Sequence, residues 1–474
     1  MFLPASSDYK FSIPTTIDGG AVWVAGNREK TLFAVLSPGS LFIYQANSVY
    51  IYGVDISEDS EPFNIDDRTV YDSNDAKLAQ AYMLRHRHPN VSIYLSVLAK
   101  INSIATCVAS LKDDLFVCLD DGWIHRITWA GDVRQELSFN IRNVPLSNDQ
   151  VNAKYTRIGD NKVHVVDIVY CPLIGGLCVV LSDGRAALLV SENYKFELTS
   201  IVGIWTLGLV DAVCCAANHK FRLLYFGCSN GDVAAYHMDD TNGAMIQTFR
   251  VKLAIKDGTE YLSRLGKVRQ IQCLPQGLVF AVTWESLDFV EQNGVEKPDS
   301  ATSSSSSSTL VQSKLCLPPI ISFFSPFGAQ WWCSLEDASD RLCVENHPYL
   351  SVEWGSEGFQ LWTANMDGLG MINLSRSISV NQPSLECFDR VALVSADSIY
   401  LSPSRNKEKL ATAPHCVWSI YSPPQEYISV NFPLRFAAFD ENCEKSLIVA
   451  GTRGFAHLQI KSGKWRLFRN ENQE

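Results

Sequence analysis

The sequence lacks a run of lysine and arginine long enough to form a basic stripe. Its 474 residues carry 40 Lys and Arg against 51 Asp and Glu, which gives a formal net charge of -11. The densest basic stretch is Arg85-His86-Arg87-His88. Because nucleic-acid binders neutralise phosphates with clustered Lys and Arg, we expect no nucleic-acid partner.

Long apolar segments are missing as well. No uninterrupted apolar stretch approaches the ~18 residues that span a bilayer. The N-terminal residues 1–8 contain neither a basic nor an apolar segment, so we expect no signal peptide. Several of the 14 cysteines lie in apolar, strand-like runs, where free Cys behaves as a small hydrophobe; these are Cys118, Cys178, Cys228 and Cys273. The adjacent Cys214 and Cys215 are expected on opposite faces of a strand. We therefore expect reduced thiols in an intracellular protein.

Motifs that carry chemistry are scarce. The chain has no phosphate loop of the form Gly-x-x-x-x-Gly-Lys-Ser/Thr and no dinucleotide-binding fingerprint. His86 and His88 have no Cys-x-x-Cys or His-Glu-x-x-His beside them to complete a metal site, and we interpret them as a solvated loop. The pairs Asp120-Asp121 and Asp239-Asp240 stand at hairpin tips, where Asp favours turns. We predict no catalytic residue, no metal and no cofactor.

A short hairpin recurs along the chain. Each copy has a run rich in Val, Ile, Leu and aromatic residues, then a turn with Gly, then a second such run. The copies occupy residues 32–44, 115–129, 176–190, 223–237, 359–374 and 446–460, with less regular members at 279–290 and 391–401. The Asp-Gly and Asn-Gly turns predict two-residue hairpins in which both central residues have positive φ.

The spacing of these hairpins favours one architecture. Gly184 and Gly231 are 47 residues apart, close to the ~40–45 residues of a four-stranded propeller blade. A β-sandwich would place turns every 8–12 residues without this longer rhythm. We predict an all-β, WD-like β-propeller of about seven blades over residues 1–405, with a disordered Ser-rich insertion at 291–313. A polar linker at 406–413 then opens residues 406–474, the first blade of a second, truncated propeller.

Tryptophans supply the weak candidates for partner contacts. Trp331 and Trp332 are adjacent, so in a strand they face opposite sides and one of them is expected to contact a partner. Five others lie in or beside predicted strands, and most of them are expected to pack between blades; these are Trp123, Trp129, Trp284, Trp362 and Trp465.

Several short sequence segments resemble the sequences of one protein family. The segments lie at residues 121–131, 225–228, 241–245, 327–330 and 354–362, and at 432–436, 454–457 and 464–468 near the C-terminus. They are similar, in order from about Phe33 onward, to the ribosome-control-one (Ric-one) family, the larger subunit of the Golgi exchange factor for the small GTPase Rab-six. Relative to that family, residues 44–71 look shortened and the serine segment is an insertion. Family members continue beyond Glu474, so we expect this sequence to be either a truncated isoform or an incomplete gene model.

The resemblance implies binding without bond-making chemistry. The expected partners are an arrestin-like smaller subunit and a Rab-six-type small GTPase. The expected location is the cytoplasm, peripheral on the Golgi membrane, in retrograde endosome-to-Golgi traffic. Two alternatives stay open at this point. One is a generic propeller adaptor of another assembly. The other is a propeller enzyme with a site in its central channel, disfavoured because the inner strands read as apolar.

Overall fold

The structure is a computed structural model, and it divides into two compact units. The first comprises Met1–Tyr44 and Leu95–Leu374, and the second comprises Gln45–Tyr94 and Ser375–Glu474. The residues that it describes are 2–4, 9–11, 23–26, 32–37, 39–49, 90–101, 103–111, 114–191, 196–255, 265–286, 320–334, 351–355, 358–365, 368–377, 391–402, 419–440, 445–451 and 453–468. The serine insertion, the linker at 406–413 and the His86-His88 pair lie outside them. Within this described part, no helix is long and apolar enough to cross a membrane.

The chain begins with two short strands and three sheets. The opening strands are β1 (Phe2–Pro4) and β2 (Tyr9–Phe11). The first sheet contains β3 (Trp23–Gly26), β4 (Leu32–Ser37), β5 (Ser40–Val49) and β6 (Asn90–Lys100). The second contains β7 (Ala105–Leu111), β8 (Asp114–Leu119), β9 (Trp123–Thr128) and β10 (Phe139–Asn140). The third contains β11 (Leu146–Ser147), β12 (Val165–Cys171), β13 (Gly176–Leu181), β14 (Ala186–Ser191) and β15 (Ile201–Trp205).

Three further sheets follow in the first unit. The fourth contains β16 (Ala212–Asn218), β17 (Leu223–Cys228), β18 (Val233–Met238) and β19 (Met245–Val251). The fifth contains β20 (Leu265–Cys273), β21 (Phe280–Ser286), β22 (Ile320–Phe324) and β23 (Gln330–Cys333). The sixth is built on β24 (Ser351–Trp354), β25 (Gln360–Asn365) and β26 (Gly368–Ser377).

The recurrent hairpin is the middle of each sheet, but its turn differs from the prediction. In the turns at Gly122, Gly184 and Gly231 the glycine alone has positive φ, near 85°. A preceding Asp or Asn side chain accepts the backbone N–H of the residue after glycine, as Asp183 does from Arg185 at 3.1 Å. This is a type I turn followed by a left-handed residue, which adds a bulge to the hairpin. A Cβ at Gly184 would lie 2.2 Å from the Val210 carbonyl oxygen, so the turn also needs glycine for space.

The six sheets of the first unit form a closed ring. The innermost strands contact one another in the order β3, β7, β12, β16, β20 and β24, and β24 contacts β3 again. The sixth sheet receives its outer strand from the start of the chain, because β2 pairs with β26 through Tyr9↔Met371, Lys10↔Gly370 and Phe11↔Leu369. A ring of sheets closed by a strand from the other end of the chain is a β-propeller. The prediction of about seven blades is corrected to six in the described part of this unit.

The core of the propeller lies between neighbouring sheets. Between the fifth and sixth sheets Trp354 is 1% exposed, and its indole Nε1 donates to the Gln272 carbonyl oxygen at 2.9 Å. Trp284, 3% exposed, donates in the same way to the Gly231 carbonyl oxygen of the fourth sheet. Because both of these indoles have a partner, Trp284 and Trp354 add packing without an unsatisfied donor. Cys214 and Cys215 lie in different core clusters, as expected for opposite faces of β16.

The second unit has its own strands. The end of β26 pairs with β27 (Ala392–Val394), which is followed by β28 (Ile399–Leu401) and β29 (Ser419–Tyr421). Helix α1 (Gln425–Asn431) precedes a four-stranded sheet of β30 (Phe436–Phe439), β31 (Ser446–Ala450), β32 (Phe455–Gln459) and β33 (Lys464–Phe468). The hairpin at 391–401, which the sequence pattern attached to the first propeller, belongs to this unit. The compact units therefore divide after Leu374, whereas the boundary predicted from sequence falls at 405/406.

Buried hydrogen bonds hold α1 to its sheet. Tyr427 is fully buried; its hydroxyl donates to the Gly454 carbonyl oxygen and accepts from the Gly451 N–H, both at 3.1 Å. Asn431 accepts from the Arg453 N–H at 2.7 Å. A Cβ at Gly451 would overlap the Asn431 carbonyl oxygen, so glycine permits this close approach. The helix and the β31–β32 hairpin therefore pack as one element.

Candidate functional site

A cavity of the first unit runs along the axis of the ring. It has a volume of about 690 Å³, and its wall is formed by the innermost strands of all six sheets together with the turns after β12, β16 and β20. Small side chains such as Ala25, Ala109 and Ala216 line much of it and leave the channel open. The central channel is therefore the site that the fold itself constructs.

Polar side chains also line the channel, contrary to the expectation of apolar inner strands. Asp167 on β12, Gln270 on β20 and Glu353 on β24 all lie in its wall, and they are 3%, 1% and 9% exposed. In sequence Asp167 stands alone within the apolar run Val165–Cys171, and this was the available signal for it. Gln270 lies among Lys267, Arg269 and Gln272 in β20, so no such signal marks it. Only the ring brings the three strands around one space.

These polar side chains connect neighbouring sheets. Asp167 accepts from the Cys215 N–H of β16 at 2.7 Å, and Gln270 accepts from the Val352 N–H of β24 at 2.6 Å. In the second sheet Thr106 donates to the Val165 carbonyl oxygen of β12 at 2.7 Å. Register shifts interrupt β7, β12 and β20 near these residues, and such bulges re-aim a side chain out of its own ladder. Side chains at the bulges therefore form hydrogen bonds with the neighbouring sheet.

Three ionisable groups in or beside the channel are shifted toward their neutral forms. Burial raises the pKa of Asp167 to about 7, although backbone N–H groups of Cys215 and Ile168 oppose the shift. Burial likewise raises the pKa of Cys171 to about 11 and lowers that of His219. Cys171 Sγ and His219 Nδ1 are 3.7 Å apart. Because both shifts favour the thiol and the neutral imidazole, this pair is not an activated thiolate.

An apolar rim lies at one mouth of the channel. Leu173, in the turn after β12, lines the channel and is 58% exposed. In the turn after β16, Phe221 is 37% exposed and meets Phe327, itself 65% exposed, with ring centroids 5.0 Å apart. Lys220 also lines the mouth, with its ammonium 5.5 Å from the Phe221 ring centroid. Exposed aromatic residues beside a cavity are typical of contact surfaces.

The structure places the other sequence candidates elsewhere. Asp121 and Asp239 each cap a turn by accepting a backbone N–H two residues on, at 3.0 and 2.9 Å. Trp332 is 6% exposed and stacks on Phe323 at 5.1 Å, whereas Trp331 is half-buried. A partner contact through this pair stays a prediction. Trp123, expected in the packing, is 41% exposed and stacks on His125.

One motif with the residue spacing of a catalytic site was not recognised in the sequence. Gly227-Cys228-Ser229-Asn230-Gly231 has the Gly-x-Ser-x-Gly spacing of hydrolase nucleophile elbows. That motif requires a strand-to-helix turn, but here Ser229 lies in the turn between the antiparallel strands β17 and β18. The residue therefore does not have the geometry of a nucleophile. In the described part of the chain no group of three or more His, Cys, Asp or Glu is arranged to hold a metal.

The closed ring of sheets defines the class: this chain is a β-propeller protein. Residues 395–474 match the model of the RIC1 second beta propeller domain. A guanine nucleotide exchange factor subunit of Caenorhabditis elegans is 35% identical over 428 residues, covering 90% of this chain and 27% of the relative. The chain belongs to the RIC1 family.

Two mammalian relatives extend the same match. The guanine nucleotide exchange factor subunits RIC1 of Mus musculus and Homo sapiens are 26% and 27% identical, over 82% and 81% of this chain and 29% of each relative. The chain thus spans less than a third of the length of these curated relatives. Among solved structures, the Cps50 (Swd1) β-propeller domain of Myceliophteria thermophila matches with a TM-score of 0.40 at 8% identity, covering 74% of this chain and 83% of that chain. The fold assignment rests on the sheets themselves.

Proposed function

We propose that this chain is a non-catalytic scaffold subunit of a guanine nucleotide exchange factor complex for a Rab-six-type small GTPase. The observation that carries the proposal is the alignment with exchange factor subunits along 90% of the chain. The match of residues 395–474 to the second propeller domain is a second indication of the same family. Both units of the chain thus support the assignment.

Exchange factors act by differential binding. A GTPase holds its nucleotide through contacts of the phosphates and Mg²⁺ with its switch regions, and a protein that binds the empty state better opens the pocket. No acid, base or nucleophile is required for this. The shifts toward neutral forms at Asp167, Cys171 and His219 are compatible with a surface that binds and does no bond chemistry.

The complex would include an arrestin-like smaller subunit and would act peripherally on the Golgi membrane, in endosome-to-Golgi traffic. Affinity purification of the tagged chain from cells tests this composition. Recovery of an arrestin-like protein with a Rab-six GTPase supports the proposal. Recovery of a different assembly, such as a coat or a ubiquitin ligase, would instead favour a general propeller adaptor.

The chain alone is expected not to accelerate nucleotide release from Rab-six appreciably. A GTPase interface typically buries ~1,600 Å² in total, and this chain spans under a third of its relatives. The measurement is release of a fluorescent nucleotide from purified Rab-six, with the chain alone and then with the arrestin-like partner added. We expect less than about tenfold acceleration by the chain alone. A tenfold acceleration would correspond to ~1.4 kcal/mol of differential binding. Larger acceleration would contradict a purely scaffolding role for these residues.

A further inference from the structure

We propose that the central channel of the first unit is a binding pocket for an arginine side chain, presented by a peptide segment of a partner protein, with Asp167 as its counter-charge. This inference goes beyond the exchange-subunit function and does not depend on it. The pocket uses the wall of the propeller ring and its apolar rim.

The first observation is an unpaired buried carboxylate. Asp167 is 3% exposed and lines the channel, and among the residues that the structure describes no Lys, Arg or His forms an ion pair with it. Its two oxygens each accept one backbone N–H, from Ile168 and Cys215. A carboxylate has about four acceptor sites, so about two stay open. A buried charge without a counter-ion is costly, and a guanidinium from a ligand would remove that cost.

The second observation is an orphaned donor in the same wall. The Gln270 side-chain oxygen accepts from the Val352 N–H, and this bond fixes the orientation of the amide. Its Nε2 is buried and has no hydrogen-bond partner in the described part of the chain. Buried donors are nearly always satisfied, so Gln270 requires an acceptor from the channel. A backbone carbonyl of an inserted peptide is such an acceptor.

These two requirements select the class of ligand. A free cation would satisfy Asp167 but not Gln270, whereas an arginine within a peptide carries both a cation and carbonyl oxygens. Arginine is preferred to lysine because a guanidinium has five N–H donors and is more weakly hydrated, which makes its transfer into the wall less costly. The volume of about 690 Å³ falls within the range of ligand pockets, about 300–1,000 Å³.

The rim can hold the residues that flank the arginine. Leu173, Phe221 and Phe327 expose apolar surface beside the mouth. Lys220 is the lysine that lines the channel, and its ammonium lies over the Phe221 ring. His219 lines it too, and burial lowers its pKa, which leaves the imidazole neutral at neutral pH. The acidic residues that line the channel are Asp167 and Glu353.

Binding of blocked amino acids to the full chain tests whether the channel requires a positively charged ligand. The probe is N-acetyl-arginine N-methylamide, and its neutral match is the citrulline compound, which keeps the shape without the positive charge. Titration followed by NMR or calorimetry is expected to give saturable binding of the arginine probe and at least about tenfold weaker binding of citrulline. Equal binding of the two, or no saturable binding of either, overturns the proposal.

Two variants separate the roles of the two side chains. Asp167→Asn is expected to weaken the arginine probe about tenfold, whereas Asp183→Asn, in an exposed turn where Asp183 pairs with Arg185, leaves it unchanged. Gln270→Met is expected to weaken the arginine probe but not methylguanidinium, which has no carbonyl. Equal loss of both probes in Gln270→Met would mean distortion of the wall and would count against the proposed contact.

The pH dependence of the wild-type chain needs no variant. With the Asp167 pKa at about 7, the ionised fraction rises from about a tenth at pH 6 to about nine tenths at pH 8, so affinity should rise about tenfold. The titratable groups that act on Asp167 are Cys107 of β7 and Cys214 and Cys215 of β16; burial raises their pKa values and keeps them neutral. Lys220, His219 and Glu353 line the same cavity. Protonation of His219 at low pH acts in the same direction. An affinity that does not change between pH 6 and pH 8 overturns the role of Asp167.

Discussion

The two units of the chain are built from the same hairpin but hold together in different ways. In the first unit, residues 9–11 pair with residues 369–371, so the ring depends on contacts between distant parts of the chain. In the second unit, β30 to β33 pair in chain order through short connections. Local pairing forms at a low entropic cost, whereas ring closure must first bring distant segments together. The difference predicts separate sensitivities to mutation.

The largest effect is expected from opening the ring. Deletion of residues 1–11 removes β1 and β2 and leaves one edge of β26 without its partner strand. We expect loss of the cooperative melting transition of the first unit, measured by calorimetry, together with aggregation through the free edge. A point variant sharpens the test. Lys10→Pro removes the backbone N–H of the central β2 residue, and Lys10→Ala keeps it. Equal melting of these two variants would contradict closure by β2.

The next largest effect is a loss of unfolding free energy on changing one buried aromatic residue in each unit. Trp354→Ala removes a fully packed indole between two sheets of the ring and should cost about 3–5 kcal/mol. Tyr427→Phe keeps the ring of the side chain but loses the hydroxyl that bonds Gly451 and Gly454, at about 1–3 kcal/mol. Chemical denaturation followed by hydrogen exchange should assign the first loss to the propeller and the second to the α1 region. A loss spread over both units in each variant would mean that they unfold as one.

A smaller, pH-dependent effect is expected at Asp167. Its folded pKa of about 7 lies above the ordinary value of 3.8, so the folded state binds the proton more tightly than the unfolded state. The stability from this group is fully present below pH ~4 and is lost as pH rises through ~7. Asp167→Asn should therefore lower the melting temperature most at pH 5 and least at pH 8. A constant difference across this range would exclude the titration of Asp167 as its cause.

The smallest effect is expected from the serine segment. β21 and β22 pair directly, with Trp284 opposite Ile320, and residues 287–319 connect them. Replacing these residues with a short Gly-Ser turn should change the melting temperature by less than about 2 °C, because loop-closure entropy varies slowly with length. The matched control is replacement of the Ser325–Ala329 turn, whose hydrogen bonds hold β22 to β23. A large loss on removing 287–319 alone would show that the segment packs against the blade.

The sequence by itself determined the local elements of this protein. Turn residues such as Asp183-Gly184 and Asn230-Gly231 terminate strands within a few residues, and their chemistry is read without tertiary information. The regular spacing of these turns predicted the propeller class. The resemblance of sequence segments such as residues 121–131 predicted the family. The buried, free state of Cys118, Cys178 and Cys228 followed from their apolar neighbours.

Tertiary structure alone decided the number of blades and the contents of the channel. Six blades result because β24 meets β3 and the N-terminal strand completes the sixth sheet, a pairing that no local pattern encodes. Asp167 is an isolated polar residue in an apolar strand, whereas Gln270 lies in a more polar strand about a hundred residues further along the chain. They share one cavity because ring closure turns the inner strand of every sheet toward a common axis, and that geometry exists only after the whole ring has formed.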